Sequence, residues 1–461
     1  MKPSYPWPAT LALSYLSTLL PLADFTRALN PIIQKIYTAD PAPLVHGDRM
    51  YIFTGHDEDN STTYDMHDWH AFSSADMANW RHHGAVMTLD TFTWADANAW
   101  AGQVVERNGL FYYYVPVRNA ATQGMAIGVA VSEGSVTGPY VDAIGGPLVE
   151  NGQIDPTVFV DDDGQAYMYW GNPDLWYVAL SDDMMSYSGN ITQVELTAES
   201  FGPRYDNPDR ATAFEEAPWL YKRDDLYYMV YAGICCPEDV RYSTGPTATG
   251  PWTYRGVIMP YEGGRFTNHP GIVDFMGRSY FVYHNGALPG GGGFTRSVAV
   301  ESFVYNADGS IPAIAMTAEG PAQVESLDPY VRQQAETIAS SEGIETEECS
   351  ACGDGRLNIW SINNGDYIKV KGMAFGDEPG PTSFTASVAT DLDGGRIELR
   401  LDSETGPVVG TCTVPHTGGW QVWTAVSCPV SGATGTRDLV FRFTGEGSLD
   451  LFNFDWWQFA R

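Results

Sequence analysis

A short run of aromatic and apolar residues recurs five times in the first two thirds of the chain. Successive copies lie about 50 to 61 residues apart, and they are Met50–Phe53, Phe111–Tyr114, Tyr167–Trp170, Tyr227–Val230 and Tyr280–Tyr283. Tyr, Phe, Ile and Val at this density favour β-strands. A fixed period of this length predicts a repeat architecture rather than a single continuous sheet.

Each aromatic run follows a tight turn, and a second apolar strand precedes that turn. The turns contain Gly47-Asp48, Asn108-Gly109, Asp163-Gly164, Asp224-Asp225 and Met276-Gly277, which are typical of hairpins. Each unit is too small to bury its own apolar face. We therefore predict that residues 29–318 form a five-bladed β-propeller with four-stranded blades.

From Gln334 onward the spacing changes to shorter strands separated by turns. The clearest of these strands are Asp366–Val370, Ser383–Val388, Gly395–Leu401 and Asp438–Phe443. This pattern predicts a β-sandwich of the jelly-roll kind over residues 333–461, joined to the propeller by a linker at 319–332. The predicted fold class is all-β.

The N-terminal segment has the pattern of an export signal. Met1-Lys2 precedes an apolar run from Leu11 to Leu22, which is too short and too Pro-interrupted for a membrane span. We predict a signal peptide at residues 1–28, with Ala23 as an alternative cleavage position, and therefore a secreted, extracellular protein. The sequons at Asn60 and Asn190 fit a glycosylated product.

Composition narrows the partners that the chain can have. A net charge of -32 over 461 residues repels phosphate backbones and anionic membranes, so neither nucleic acid nor a membrane is an expected partner. We expect a monomer without an organic cofactor.

The six cysteines are expected to be oxidised in an exported protein. Cys349 and Cys352 favour a small disulfide loop, and Cys412 with Cys428 favours a link between neighbouring strands. Cys235-Cys236 is either a vicinal disulfide or a pair of free thiols.

The repeat aligns five polar or aromatic residues. Eleven or twelve residues before Tyr51, Phe111, Tyr167, Tyr227 and Tyr280 of the aromatic runs stand, in chain order, Asp40, Trp100, Asp155, Glu216 and His269. Equivalent positions in a propeller lie at the same height around one axis, so these side chains are expected to meet at the mouth of the central channel. Strand alternation then directs Glu216 inward and Glu215 to the other side. The alternative is that Asp-Pro and Glu-Ala-Pro only shape turns at the strand starts.

Three carboxylates around one cleft cannot all be ionised cheaply, so their pKa values should separate. Glycoside hydrolysis requires such a pair, a protonated acid beside an ionised base. We assign Glu216 as the general acid and Asp40 as the general base that activates water. Asp155 is expected to orient the acid and to raise its pKa by repulsion.

These residues resemble glycoside hydrolase family 43 over roughly residues 31 to 318. The contexts Ala39-Asp40-Pro41, Ile154-Asp155-Pro156 and Glu216-Ala217-Pro218 match the family's Asp, Asp, Glu triad in chain order. The resemblance implies a five-bladed propeller and an inverting mechanism, with the acid and base carboxylates about 6.5–9.5 Å apart. It also implies a buried Ca2+ near His269, a sugar-subsite role for Arg296 and a stacking surface at Trp100. The alternatives are a core His269, a surface Arg296 and a packing Trp100.

The segment Ala99–Val105 and the appended domain look like fungal arabinofuranosidases that remove α-1,3-linked arabinose from doubly substituted xylose in arabinoxylan. The resemblance thus implies an exo-acting α-L-arabinofuranosidase whose partner is this plant cell-wall polysaccharide. A β-xylosidase or an arabinanase of the same family is the alternative within enzymes, because loops decide which sugar enters. A non-catalytic sugar-binding propeller is the alternative outside them.

The C-terminal part resembles carbohydrate-binding module family 6. The residues that carry the resemblance are Gln334-Ala335-Glu336, Leu401-Asp402-Ser403, Gly418–Gln421 and Asn453–Trp457. It implies a structural Ca2+ held with the help of Glu336 and Asp455, and a sugar cleft at Trp420 and Asn453. The alternative is a module kept as a structural clamp on the propeller.

Overall fold

The computed structural model describes residues 29–207, 209–352, 356–446 and 450–461. The predicted signal peptide, residues 1–28, lies outside the described residues. Over the described ranges the chain is all-β apart from two single turns of helix, and none of its helices has the length and apolar character needed to cross a membrane.

Five antiparallel sheets follow one another along the first part of the chain. The first and second sheets contain β1 (Thr38–His46), β2 (Arg49–His56), β3 (Asp68–Ser74) and β4 (Trp80–Thr88), then β5 (Ala95–Ala97), β6 (Gln103–Arg107), β7 (Leu110–Asn119), β8 (Met125–Glu133) and β9 (Val141–Asp142). A 3-10 turn at Leu89–Thr91 joins the two sheets.

The third sheet, a short helix and the last two sheets complete this part. They are β10 (Thr157–Val160), β11 (Ala166–Trp170), β12 (Trp176–Leu180) and β13 (Tyr187–Gln193); α1 (Ala198–Phe201); β14 (Phe214–Arg223), β15 (Leu226–Gly233), β16 (Asp239–Gly245) and β17 (Thr253–Met259); and β18 (Gly271–Phe275), β19 (Arg278–Asn285) and β20 (Ser297–Phe303).

The five predicted hairpins are confirmed. The pairs are β1 with β2, β6 with β7, β10 with β11, β14 with β15 and β18 with β19. The first strands of these hairpins lie against one another in turn, from β1 through β6, β10, β14 and β18 and back to β1. The sheets therefore surround a common centre.

The aromatic runs are buried in the layers between neighbouring sheets. Phe53 of β2 packs edge-on against Tyr113 of β7, with their ring centroids 5.5 Å apart, and Tyr169 of β11 lies in one apolar cluster with Phe214 of β14. Tyrosine suits this position because its ring fills the layer while its hydroxyl can reach a polar partner. Tyr169, for example, donates its hydroxyl proton to the Ala248 carbonyl oxygen at 2.9 Å.

The C-terminal part contains two further sheets that share one apolar core. Its strands are β21 (Gln333–Gln334), β22 (Thr337–Ile338), β23 (Ser340–Glu342), β24 (Glu345–Glu348), β25 (Leu357–Trp360), β26 (Tyr367–Gly376), β27 (Ser383–Thr390), β28 (Arg396–Leu401), β29 (Val408–Thr413), β30 (Gly419–Pro429), β31 (Gly435–Thr444) and β32 (Asn453–Ala460). The four strands expected from the sequence correspond to β26, β27, β28 and β31, although Asp366 and Gly395 each lie one residue before the observed strand.

All six cysteines form disulfides. Cys349 pairs with Cys352, and Cys412 of β29 pairs with Cys428 of β30, as predicted. Cys235 and Cys236 form a vicinal disulfide, which resolves the alternative that the sequence left open.

The two parts of the chain are joined by backbone pairing as well as by side chains. Strand β22 pairs with β4 of the first sheet, so residues assigned to the second domain extend a sheet of the first. Arg356 donates to the carbonyl oxygens of Thr137 and Gly138 at 2.9 and 2.8 Å. The predicted linker, residues 319–332, is anchored on both sides, since Val324 N donates to Asp76 O and Leu327 N to Gly372 O.

Candidate active site

The three predicted catalytic carboxylates lie at matching points of three sheets. Asp40 and Asp155 each precede a proline directly and have φ angles of 52° and 60°, and Ala217, between Glu216 and Pro218, has a φ of 54°. Non-glycine residues rarely adopt this left-handed region, and such strain is concentrated at functional sites. In β1 and β14 the conformation coincides with a β-bulge. The bulge turns each carboxylate away from the regular strand face.

These carboxylates face one cavity of about 200 Å3. Its lining contains six of the residues predicted from the sequence, namely Asp40, Trp100, Asp155, Glu216, His269 and Arg296. The convergence expected from the repeat is therefore observed. A larger depression of about 900 Å3 lies beside the hairpin turns at Asp224 and Gly277. We assign the site to the smaller cavity because three buried or half-buried carboxylates face one another there.

Asp40 is held by a buried arginine. Arg296 donates from Nη1 to Asp40 Oδ1 at 2.7 Å. Its Nε and Nη2 donate to the two carboxylate oxygens of Asp57 at 2.9 and 2.8 Å. Burial raises the pKa of Asp40 to about 6, although the Arg296 charge acts in the opposite direction. The alternative of a surface arginine is wrong, since Arg296 is 3% exposed.

Glu216 has the properties expected of a proton donor. Burial, followed by the charges of Asp40 and Glu215, raises its pKa to about 7, and the Asn172 side chain donates a hydrogen bond to Glu216 Oε2. The charges that raise this pKa are those of Asp40 and Glu215, so the repulsion from Asp155 that the sequence predicted does not account for the rise. The carboxyl is thus about half protonated at neutral pH and mostly protonated below it.

Asp155 interacts electrostatically with both of the other carboxylates. Burial and repulsion from Glu216 and Asp40 raise its pKa well above the usual value. Its Oδ2 accepts a hydrogen bond from the backbone N–H of Ala217, next to Glu216, at 3.1 Å. Asp155 therefore fixes the backbone that carries Glu216, which fits the predicted orienting role.

Glu215 lies on the opposite side of the strand from Glu216, as strand alternation predicts. It is buried and accepts hydrogen bonds from Arg204 at 2.6 Å and from Arg210. Its Oε2 also accepts from the backbone N–H of Cys235 at 3.1 Å. Glu215 thus joins the vicinal disulfide segment to β14 and does not line the cavity.

Trp100 forms one wall of the cavity and is held at two points. Its indole N–H donates to the Tyr64 carbonyl oxygen at 3.1 Å, and its own carbonyl oxygen accepts from the indole N–H of Trp69 at 2.8 Å. The Tyr64 ring lies 5.1 Å from the Arg296 guanidinium carbon. A fixed aromatic face beside charged groups is suited to stacking against a sugar ring.

His269 lines the same cavity and is kept neutral. Burial and the Arg296 charge lower its pKa to about 3. A neutral imidazole can ligate a metal ion. Among the residues that the structure describes, however, His269 belongs to no group of three or more His, Cys, Asp or Glu side chains placed to hold a metal ion.

Glu336 and Asp455 lie close together in the second part of the chain. Both side chains are buried, and the charge of Asp455 adds to burial in raising the pKa of Glu336 to about 7. Arg81 donates to Glu336 Oε1 at 3.2 Å, whereas Oε2 is buried with no hydrogen-bond partner among the described residues. Two buried carboxylates that repel each other, with an unpaired oxygen on Glu336, fit an oxygen-preferring cation such as Ca2+.

Trp420 and Asn453, the predicted sugar-cleft residues, are bonded to each other. Asn453 is 3% exposed, and its side-chain amide donates to the Trp420 carbonyl oxygen at 2.9 Å and to Glu347 Oε1 at 2.7 Å. The donor that would reach a sugar is therefore engaged within the protein.

The sequence reasoning missed Tyr64 and Asn172, which line the cavity, and Asp57, which pairs with the lining residue Arg296. Asp57 follows β2 and contacts Arg296, which lies 239 positions further along the chain. A pairing over this distance leaves no local pattern. Asn172, before Pro173, carries a turn signal that gives no sign of its contact with Glu216.

Comparisons with known proteins agree with this geometry. Residues 28–311 match Glycosyl hydrolases family 43, and residues 334–461 match Carbohydrate binding module (family 6). An arabinoxylan arabinofuranohydrolase of Bacillus subtilis (strain 168) is 35% identical over 97% of this chain and 95% of its own length.

Two solved structures are also similar. The crystal structure of a family 43 arabinoxylan arabinofuranohydrolase from Bacillus subtilis, in complex with cellotetraose, has a TM-score of 0.82 at 33% identity and covers 95% of this chain and 99% of its own. A β-xylosidase/α-arabinofuranosidase from a compost microbial metagenome, in complex with xylotriose and in a calcium-free form, has a TM-score of 0.56 at 31% identity over 63% of this chain and 98% of its own.

Proposed function

This chain belongs to glycoside hydrolase family 43 and carries a family 6 carbohydrate-binding module, and from that membership we propose that it is an inverting, exo-acting α-L-arabinofuranosidase. Its substrate is arabinoxylan, from which it releases arabinose side chains. The full-length similarity to an arabinoxylan arabinofuranohydrolase supports this substrate class.

The observation that carries the proposal is the single cavity that the three carboxylates face. Its volume of about 200 Å3 lies below the range of about 300–1,000 Å3 for sites that take drug-sized ligands. A cavity of this size suits one terminal sugar, which favours exo-action over binding along a polymer. The pKa of Glu216 exceeds that of Asp40, so the two carboxyls differ in the direction that acid and base roles require.

In the proposed mechanism, Glu216 donates its proton to the glycosidic oxygen as the bond to the arabinose carbon breaks. Asp40, ionised beside Arg296, accepts a proton from the water that attacks the opposite face of the sugar. Asp155 holds the backbone of Glu216, and Trp100 stacks against the substrate. After turnover Glu216 is ionised and Asp40 is protonated, and exchange with solvent restores both.

The finer architecture is part of the proposal. The ring of first strands from five successive sheets supports a five-bladed β-propeller over residues 29–318, and two sheets around one core support a β-sandwich over 333–461. Export after removal of residues 1–28 and a monomeric state are also proposed. The unpaired Glu336 oxygen supports a structural Ca2+ at Glu336 and Asp455, while the axial ion near His269 rests on the family resemblance.

The linkage preference, α-1,3-linked arabinose on doubly substituted xylose, rests on the segment Ala99–Val105 and on the overall resemblance. A second candidate activity is β-xylosidase, because a similar structure is a β-xylosidase/α-arabinofuranosidase. NMR of the products from mono- and disubstituted arabinoxylan oligosaccharides tests both. We expect arabinose from the disubstituted units, released first as the β-anomer.

Release from singly substituted xylose alone would contradict the linkage preference, and xylose as the main product would favour the second candidate. Release of the α-anomer would contradict the inverting mechanism. A complete lack of activity on nitrophenyl α-L-arabinofuranoside and on these oligosaccharides at any pH would favour a sugar-binding propeller without catalysis.

A further inference from the structure

A cluster of histidines lies on the first sheet, outside the catalytic cavity. His56 is the last residue of β2, and Asp68 and His70 are the first and third residues of β3. The register that pairs Gly55 with Trp69 places His56 opposite Asp68, and residues two apart on a strand share a face. Two imidazoles and one carboxylate therefore converge on adjacent, hydrogen-bonded strands.

The distances between these groups match those around a small metal ion. Asp68 Oδ1 lies 3.1 Å from His56 Nδ1 and 3.3 Å from His70 Nε2, and the ligand atoms of all three residues lie within 4.8 Å of one another. Tetrahedral Zn2+ with bonds of about 2.0–2.1 Å separates neighbouring ligand atoms by about 3.3–3.4 Å. The side chains thus need small adjustments to bind an ion.

One ligand atom in the cluster is buried and, among the described residues, makes a polar contact only with Asp68. His70 is 9% exposed, and its Nε2 lies 3.3 Å from Asp68 Oδ1 without the geometry of a good hydrogen bond. Its other nitrogen, Nδ1, lies 2.8 Å from Nε2 of His82 on β4. A metal-bound histidine is typically oriented in this way by a partner on its second nitrogen.

The cluster also has an open side. Asp68 borders a depression of about 350 Å3 that is lined in addition by His67, Asp90 and Asp96. An ion can enter from this acidic depression and keep a water ligand there. The three protein ligands and one accessible position form a usual arrangement for zinc.

We propose that His56, Asp68 and His70 form a binding site for a divalent first-row transition ion, for which Zn2+ is the probe. Imidazole nitrogen favours these ions over Ca2+, which takes oxygen ligands. The site does not depend on the proposed hydrolase activity, and it lies outside the catalytic cavity.

The test is a titration of the full-length, chelator-treated protein with Zn2+ in the presence of excess Ca2+, followed by calorimetry. Co2+ is titrated in parallel, because its visible absorption reports imidazole coordination. We expect one equivalent of Zn2+ to bind, at least tenfold weaker binding in Asp68→Asn and His70→Gln, and a loss of about 10–100-fold in His82→Gln.

His46→Gln is the matched control, because His46 forms a 2.8 Å pair with Glu106 without a third ligand. It should bind Zn2+ as the unchanged protein does. The near-isosteric Asp68→Asn keeps the test valid if a histidine variant fails to fold, which melting curves would reveal. Absence of stoichiometric Zn2+ binding, unchanged binding in Asp68→Asn, or an equal loss in His46→Gln would each overturn the site.

Discussion

The catalytic cavity and the predicted sugar cleft of the second domain contain similar residue types in opposite states. In the cavity, Glu216 receives one side-chain hydrogen bond, from Asn172, and faces open volume. In the cleft, Glu347 Oε1 receives three, from Asn358, Gln421 and Asn453 at 3.1, 3.0 and 2.7 Å. One set of polar groups is left for a ligand, and the other is satisfied within the protein.

This difference shows what a motif match does and does not establish. Residue types at family positions make a site conceivable, but binding needs donors and acceptors that are not already paired. The backbone supports the same distinction, since strained φ angles occur at Asp40 and Asp155 in the cavity. Asn453 lies within the regular strand β32. We therefore expect catalysis to depend on the first region and sugar retention to be insensitive to the second.

The largest expected effect follows from removing the base. Asp40→Asn keeps the size of the side chain but cannot accept a proton from water, so kcat/KM should fall about 10²–10⁴-fold on natural and activated substrates alike. Initial rates on arabinoxylan oligosaccharides and on nitrophenyl arabinofuranoside measure this. Glu106→Gln, an exposed carboxylate bound to His46, is the control and should leave both rates unchanged.

Azide extends this test to the stereochemistry. In Asp40→Ala it should restore turnover of the aryl substrate and yield a glycosyl azide of inverted configuration, because the anion replaces the activated water. A product with retained configuration would show that Asp40 is not the water-activating base.

Removing the acid should separate two classes of substrate. Glu216→Gln can no longer protonate the leaving oxygen, so hydrolysis of arabinoxylan oligosaccharides should fall about 10²–10³-fold. Hydrolysis of dinitrophenyl arabinofuranoside should fall far less, because that leaving group departs without a proton. Equal losses on both substrates would argue against the acid role. Glu215 is unsuitable as a control because its pairing with Arg204 and Arg210 supports the fold.

The sequence was sufficient for the features with local signals. The hairpin turns and the Asp-Pro and Glu-Ala-Pro steps recur at fixed spacing, so they revealed the five hairpins and the three carboxylates. It was insufficient where contacts join distant residues, as in the pairing of Arg296 with Asp57 or of β22 with β4. It also could not show that Asn453 is engaged, because its partner Glu347 lies in a strand 106 positions earlier.

The pH profile should reflect both carboxyls of the cavity. Asp40 must be ionised, so activity should fall as pH decreases through about 6. Glu216 must be protonated, so activity should fall as pH rises through about 7. A bell-shaped profile of kcat/KM with these two limbs is expected, and its apparent pKa values belong to the coupled pair.

Arg296→Met sharpens this assignment. Loss of the guanidinium charge removes a stabilising partner of ionised Asp40 at 2.7 Å and a weaker one of Glu216. Both limbs should move to higher pH, the acid limb by about one unit or more. Arg118→Met, whose partner Asp96 lies outside the cavity, should leave the profile in place. If the acid limb stays near pH 6 in Arg296→Met, then ionisation of Asp40 is not what produces that limb.

The smallest expected effect on activity comes from the second region. In Asn453→Ala the oxygens of Glu347 and Trp420 each lose a partly buried hydrogen bond, so the free energy of unfolding should fall by about 1–3 kcal/mol. Hydrolysis of soluble oligosaccharides should remain within about twofold, because the cavity is unaffected. Affinity electrophoresis in arabinoxylan should show the same retardation for Asn453→Ala as for the unchanged protein.

If instead retardation is lost while the variant remains folded, then the hydrogen bonds of Asn453 must open to admit sugar. The cleft would then be a binding site that is closed in the free protein, and the contrast with the open catalytic cavity would be one of conformation rather than of function.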